Sequence, residues 1–231
     1  MAPKSFTNIF IAVVGLICSV GYSDQVADLV ARLEKLDGKD SIRAMVHIDD
    51  SVSKVQDEKS KPLEKVDFVI TADANTLTLT VTGKISNNRL FREFSMLRAG
   101  ELAQYGQNLA HELDGLKLVE NAPDVYRGVS CKRWRLKSQR KESKFGISST
   151  TLKDIEIWID AEGYPVAGLF KTQTKGRLLL FKFNSDSARE QRYQRVGSRL
   201  VLVFDKNETD IKSKAGDQKR TVTTTVEVKQ N

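Results

Sequence analysis

The sequence predicts an α+β domain: a large curved antiparallel β-sheet, a half-barrel of about eleven strands, with an N-terminal helix and a helical insertion packed on its inner face. Three observations carry this reading. Apolar residues recur at helical spacing only near the start of the chain and once more between Asn87 and Gly115. Elsewhere they alternate with polar ones, in runs that repeat roughly every ten residues with turn chemistry between them. Nothing in those intervals has the length of a helical crossover, so the strands run antiparallel.

Taken in order, residues 1–23 read as a secretory signal peptide. Lys4 precedes an apolar run from Ile9 to Gly21, and the stretch ends in Gly21-Tyr22-Ser23. At about thirteen residues the run matches a signal core and falls short of the roughly 20 that span a membrane. Cleavage is expected after Ser23, with Gly21 at −3; cleavage after Gly21 and retention as an anchor stay open. Cys18 follows Ile17, not a small residue, so lipidation is not expected. The remaining chain, 24–231, is read as a single domain, periplasmic or secreted, without a transmembrane span.

Val26, Leu29, Val30, Leu33 and Leu36 form one apolar stripe, and Gly38 stops the helix. Ile42, Ala44, Val46 and Ile48 then alternate as a half-buried strand. A charged loop over 57–62, a strand over 66–72, a tight turn at Asp73-Ala74-Asn75 and a threonine-rich strand over 77–81 follow. Leu90, Phe91, Phe94, Leu97, Leu102, Tyr105, Leu109 and Leu113 supply the helical insertion, with a break near Gly100. Further strands are expected near 116–120, 129–137, 153–160, 165–174, 177–184, 188–196, 199–206 and 219–229. The stretch 206–218 reads as a polar loop.

Composition narrows the class. The chain is 40% hydrophobic and 29% charged with 14 glycines and 4 prolines, so it is neither disordered nor fibrous. Its net charge of +7 favours anionic surroundings. Outside the cytoplasm these are phospholipid headgroups, envelope polymers and acidic proteins, and nucleic acid is not expected as a partner. Once the signal is removed one cysteine, Cys131, remains, so no internal disulfide can form. Cys131 is either a buried filler or an exposed thiol that pairs between chains. His47 and His111 read as surface or satisfied core residues.

The sharpest local signal is Trp158-Ile159-Asp160-Ala161-Glu162-Gly163-Tyr164-Pro165: a strand, a tight turn and a returning strand opened by proline. This stretch resembles the "W-x-D-x-x-G-x-P" element common among periplasmic lipoprotein carriers and outer-membrane lipoprotein receptors (LolA and LolB), a superfamily that includes the sensor domains of sigma-E regulators (RseB). The order of elements is similar too. The resemblance implies a curved sheet closed by helices around an apolar cavity that holds acyl chains. No carrier-specific arginine can be placed, so the activity itself is not carried over.

Two further features bear on binding. With Trp134 and Leu136 inward, Arg133, Arg135 and Lys137 would form a cationic stripe for an anionic surface or an acidic partner; charge that merely solvates the sheet is the alternative. Leu169 to Phe183 is apolar on both faces, as expected of a strand pair under a covering helix or lining a cavity. If a cavity exists, Phe170, Leu178, Leu180 and Val201 or Leu202 are its candidate ligand contacts.

There is no glycine-rich phosphate loop, no metalloprotease or zinc spacing and no nucleophile elbow. Glu156 and Asp160 read as charged strand ends beside a turn. No catalytic residue, metal or cofactor is expected. The expected function is non-enzymatic binding of a lipid, acyl chain or other amphipathic ligand in the cell envelope, with peripheral membrane contact left open. The alternative is an interaction or sensor module that contacts an acidic envelope protein.

Overall fold

The structure, a computed structural model, describes residues 24–54, 64–82, 95–144, 147–178, 181–213 and 217–229. The expected signal peptide with Cys18, the loop over 57–62, Leu90, Phe91, Phe94 and Leu180 lie outside the described residues, as does the side chain of Leu178.

Helix α1 spans 24–34 and buries Val26, Leu29 and Leu33 on the face that their spacing draws. Strands β1 (Ile42–Lys54), β2 (Glu64–Ala72) and β3 (Leu77–Thr82) follow. The β2–β3 turn is held by Asp73, whose carboxylate accepts from the Asn75 and Thr76 amides, both at 2.8 Å. Helix α2 (Met96–Ala103) starts at Ser95, whose hydroxyl caps the Arg98 amide, and α3 (Gly106–Leu113) follows after two residues. Gly106 lies so near the end of α1 that a Cβ there would stand 3.0 Å from the Leu33 carbonyl. A side chain at this position would push the two helices apart.

Seven strands complete the chain: β4 (Lys117–Tyr126), β5 (Val129–Lys144), β6 (Ile147–Ile159), β7 (Pro165–Leu178), β8 (Phe181–Val196), β9 (Arg199–Ser213) and β10 (Gln218–Lys229). Together with the first three they form one open sheet of ten antiparallel strands in the order β3-β2-β1-β10-β9-β8-β7-β6-β5-β4. The count is ten, not eleven: the strands expected at 177–184 and 188–196 are one long β8 and the end of β7. The polar loop expected over 206–218 is also corrected, because β9 runs to Ser213 and β10 begins at Gln218. Both corrections have the same cause. The far halves of these strands stand clear of the helices, so neither face is buried deeply enough to impose alternation, and ladders on both sides hold the polar segments extended.

Among the described residues the helices lie on one face, the other being free of helix, and the sheet curls around them. Helix α2 touches β2 and β3 at one edge and also β9, although β1 and β10 lie between. The Tyr105 amide donates to the Leu200 carbonyl of β9 at 2.7 Å, and the Arg199 guanidinium donates to the Asp73 carbonyl in the β2–β3 turn at 2.8 Å. Helix α1 covers the other side: Asn121 of β4 donates to Gln25 at 2.9 Å, and Arg32 donates to the Glu162 carbonyl in the β6–β7 turn at 2.8 Å. Between helices and sheet lies the core of Leu33, Val46, Phe68, Leu102, Leu109, Leu136, Ile157, Leu200 and Leu202.

Candidate trough on the helix-free face

Cross-strand register decides which side chains share a face. Lys117 pairs with Lys137, Lys137 with Asp154, Asp154 with Lys171, Lys171 with Ala188 and Ala188 with Glu208. The next row joins Gln139, Leu152, Gln173, Asp186 and Asp210, which pairs in turn with Lys219. Their chain neighbours Leu136, Ile155 and Phe170 are buried beneath the helices, so both rows project from the opposite face. There they line a trough of about 1040 Å³ that crosses every strand from β4 to β10.

Charge in the trough is divided. At the β8–β9 side stand Asp186, Glu208 and Asp210. Asp186 accepts from Gln173 and Asn184, both at 2.8 Å, and Glu208 pairs with Lys206 at 2.7 Å, which holds its carboxyl below the usual range. At the β4–β7 side the carboxylate is Asp154. It accepts two hydrogen bonds from Arg135, at 3.0 and 2.7 Å, and lies 3.7 Å from Lys137. The bond from Arg135 lowers its pKa despite partial burial. Apolar surface is supplied by Val119 and Leu152, 50% and 41% exposed.

The basic stripe is therefore present on the helix-free face, with Trp134 and Leu136 buried behind it. Its arginines are already engaged: Arg133 pairs with Glu120 at 2.8 Å, as Arg135 does with Asp154. Lys137 is the member that reaches the trough, where it joins Lys117 and Lys171, two residues that sequence reasoning missed. Phe170, Val201 and Leu202 sit elsewhere. All three are buried in the core cluster, Val201 and Leu202 completely.

The Trp158–Pro165 element is used in folding. Asp160 accepts from the Tyr164 amide at 2.9 Å, Trp158 donates through its indole to Asp124 at 2.9 Å, and Gly163 turns the chain at φ +84°. A Cβ on Gly163 would stand 2.3 Å from the Arg32 guanidinium. Cys131 is buried, and burial raises its thiol pKa. His47 donates through Nδ1–H to the Asp67 carboxylate at 2.8 Å.

A second polar cluster lies under the helices. The Arg189 guanidinium forks onto Asp205, at 2.6 and 2.9 Å, and reaches Glu112 of α3 at 3.2 Å. Gln191, wholly buried, turns its carbonyl oxygen to Arg189 and to the Tyr105 hydroxyl and its amide nitrogen to Tyr193, the orientation that satisfies all of these groups. Burial pushes Tyr105 up to about 12 and raises Tyr193 as well, so both phenols stay protonated: Tyr105 donates to the Gln191 carbonyl, and Tyr193 accepts from the Gln191 amide. With its members bonded to one another beneath α2 and α3, this cluster ties helices to sheet and presents no open reaction centre.

Among the described residues, no helix is long and apolar enough to cross a membrane, and no group of His, Cys, Asp or Glu side chains is placed to hold a metal ion. In comparisons with known proteins, no family model, curated protein or solved structure matches the chain.

Proposed function

We propose that this is a non-enzymatic binding protein of the cell envelope, and that the helix-free trough takes a lipid, acyl chain or other amphipathic ligand. The observation that carries this reading is the trough itself. Its volume of about 1040 Å³ stands at the upper end of small-ligand sites, and its lining combines exposed apolar side chains with charges of both signs. The signal at residues 1–23 supports a periplasmic or secreted setting. The Trp158–Pro165 element and the helix-backed antiparallel sheet support a place in the LolA/LolB-like superfamily. In that superfamily the acyl chain occupies the face that the helices close, whereas here Val201 and Leu202 are filled into the core. The ligand is therefore assigned to the opposite face.

The test is native mass spectrometry with lipid extraction on the full chain, expressed in a secreting host and purified without detergent. The expected result is a protein that has lost residues 1–23 and carries a bound mass in the range of fatty acids or phospholipids. An apo protein that takes up no added lipid would overturn the reading. In that case the β4–β5 hairpin becomes the leading feature: Val125 and Val129 are 65% and 49% exposed there, a surface suited to a protein-contacting sensor module.

A further inference from the structure

The trough is polarised in a way that selects among amphipathic ligands. Lys117 and Lys137 stand directly opposite each other across β4 and β5, an arrangement that costs energy when nothing lies between them. Asp154 cannot neutralise both, because it carries one negative charge and that charge is already shared with the Arg135 fork. On its other side Asp154 is paired in register with Lys171. Three lysines, Lys117, Lys137 and Lys171, thus share a row with one carboxylate, Asp154, while Glu120 and Glu156 stand in register with Arg135 in the next row. Among the described residues neither Lys117 nor Lys171 has an ion-pair partner within 4 Å. One strand spacing beyond Lys171 the same row becomes apolar at Ala188, and Leu152 of β6 projects from the neighbouring row, whereas Val119 stands on β4, on the other side of the lysines. The trough's carboxylates Asp186, Glu208 and Asp210 stand farther along, over β8 and β9.

We infer that the ligand is an anionic single-chain amphiphile, with its head group held by Lys117, Lys137 and Lys171 and its chain lying against Leu152 and Ala188. This inference rests on the binding reading above and adds the charge and direction of the ligand. A carboxylate head group placed among three ammonium groups relieves their mutual repulsion. The ammonium groups form charge-assisted hydrogen bonds to it, in a row whose own acid, Asp154, is already engaged by Arg135. A cationic head group would meet the same repulsion at this end and would be driven toward Asp186 and Asp210.

Calorimetric titration of the full secreted protein with dodecanoate, dodecanol and dodecylammonium tests the inference. Dodecanoate is expected to bind at least about tenfold more tightly than dodecanol, a difference of about 1.4 kcal/mol. That preference is expected to weaken as salt is raised. Lys117→Gln with Lys171→Gln should abolish it, and Lys117→Arg with Lys171→Arg should retain it. Thermal melting verifies that each variant is folded. Equal binding of acid and alcohol by the unaltered protein would overturn the lysine assignment and leave the amphiphile-binding reading standing. Tighter binding of dodecylammonium would overturn the assigned direction. Failure of all three to bind would overturn both readings.

Discussion

Arg189 on β8 and Asp205 on β9 are joined by two parallel hydrogen bonds, and Arg98 of α2 donates to the same carboxylate at 2.6 Å. A register shift in the β8–β9 ladder makes this pairing available. Tyr193 pairs with Leu202 and Arg192 with Phe204, so Val203 is the extra residue that lets Leu202 and Asp205, three positions apart, both face the helices. Asp205→Asn removes the carboxylate that the two guanidinium groups share and leaves Arg189 with Glu112 alone and Arg98 with Glu101 alone. Removing one partner from a buried ion pair costs about 3–5 kcal/mol, and the lower end applies because both arginines retain some solvent. Urea denaturation should show a loss near that size. A loss under about 1 kcal/mol would mean that water substitutes for the carboxylate.

Glu112 gives the fold a pH dependence of known sign. Burial raises its carboxyl above the ordinary 4.5, against the opposing pull of Arg189, Lys153 and the Tyr105 hydroxyl. One of its oxygens is buried without a hydrogen-bond partner. The folded state therefore holds the proton more tightly than the unfolded state. This contribution to stability is fully present below pH 4.5 and is lost as pH rises through the raised value. Glu112→Gln removes the titration, so the variant should gain on the unaltered protein as pH is taken from about 4 to about 7. A stability difference that stays constant across that range would contradict the assignment.

Leu202 is completely buried in the core between helices and sheet. Leu202→Ala is expected to cost about 2–5 kcal/mol of stability. Because the ligand is placed on the other face, the affinity of the folded variant for dodecanoate should be unchanged. A large loss of affinity at full folding would move the ligand to the helix side.

Gly163→Ala tests the turn that follows Trp158. The position combines φ +84° with a close approach of the Arg32 guanidinium. A destabilisation of about 1–3 kcal/mol is expected. Arg32→Ala in the same background should recover the part that comes from the clash and leave the part that comes from the backbone, as a double-mutant cycle would show.

Where one face is covered, the sequence spelled out its structure. Val26, Leu29 and Leu33 drew the stripe of α1, and Ile42 to Ile48 drew the alternation of β1, because helices and sheet bury these residues against each other. Where a strand leaves the helices, as over Asp205 to Ser213, no burial contrast exists and the segment looks like a loop. The candidate site suffered in a second way. Whether Arg135 or Lys117 is engaged depends on partners supplied by other strands, and that register follows from hairpin geometry and from the shift between Leu118 and Glu120. Residue types along the chain do not encode it. The stripe of Arg133, Arg135 and Lys137 was legible, but not the neutralisation of its arginines, nor the gathering of Lys117 and Lys171 beside Lys137.

The proposed amphipathic ligand lies on the helix-free face. Nuclear magnetic resonance with a fatty acid carrying a nitroxide on its chain tests this most directly, since paramagnetic broadening reports proximity residue by residue. Broadening centred on Leu152 and Ala188, with Leu136 and Leu202 spared, is the expected result. Broadening centred on Phe170, Val201 and Leu202 beneath the helices would contradict it.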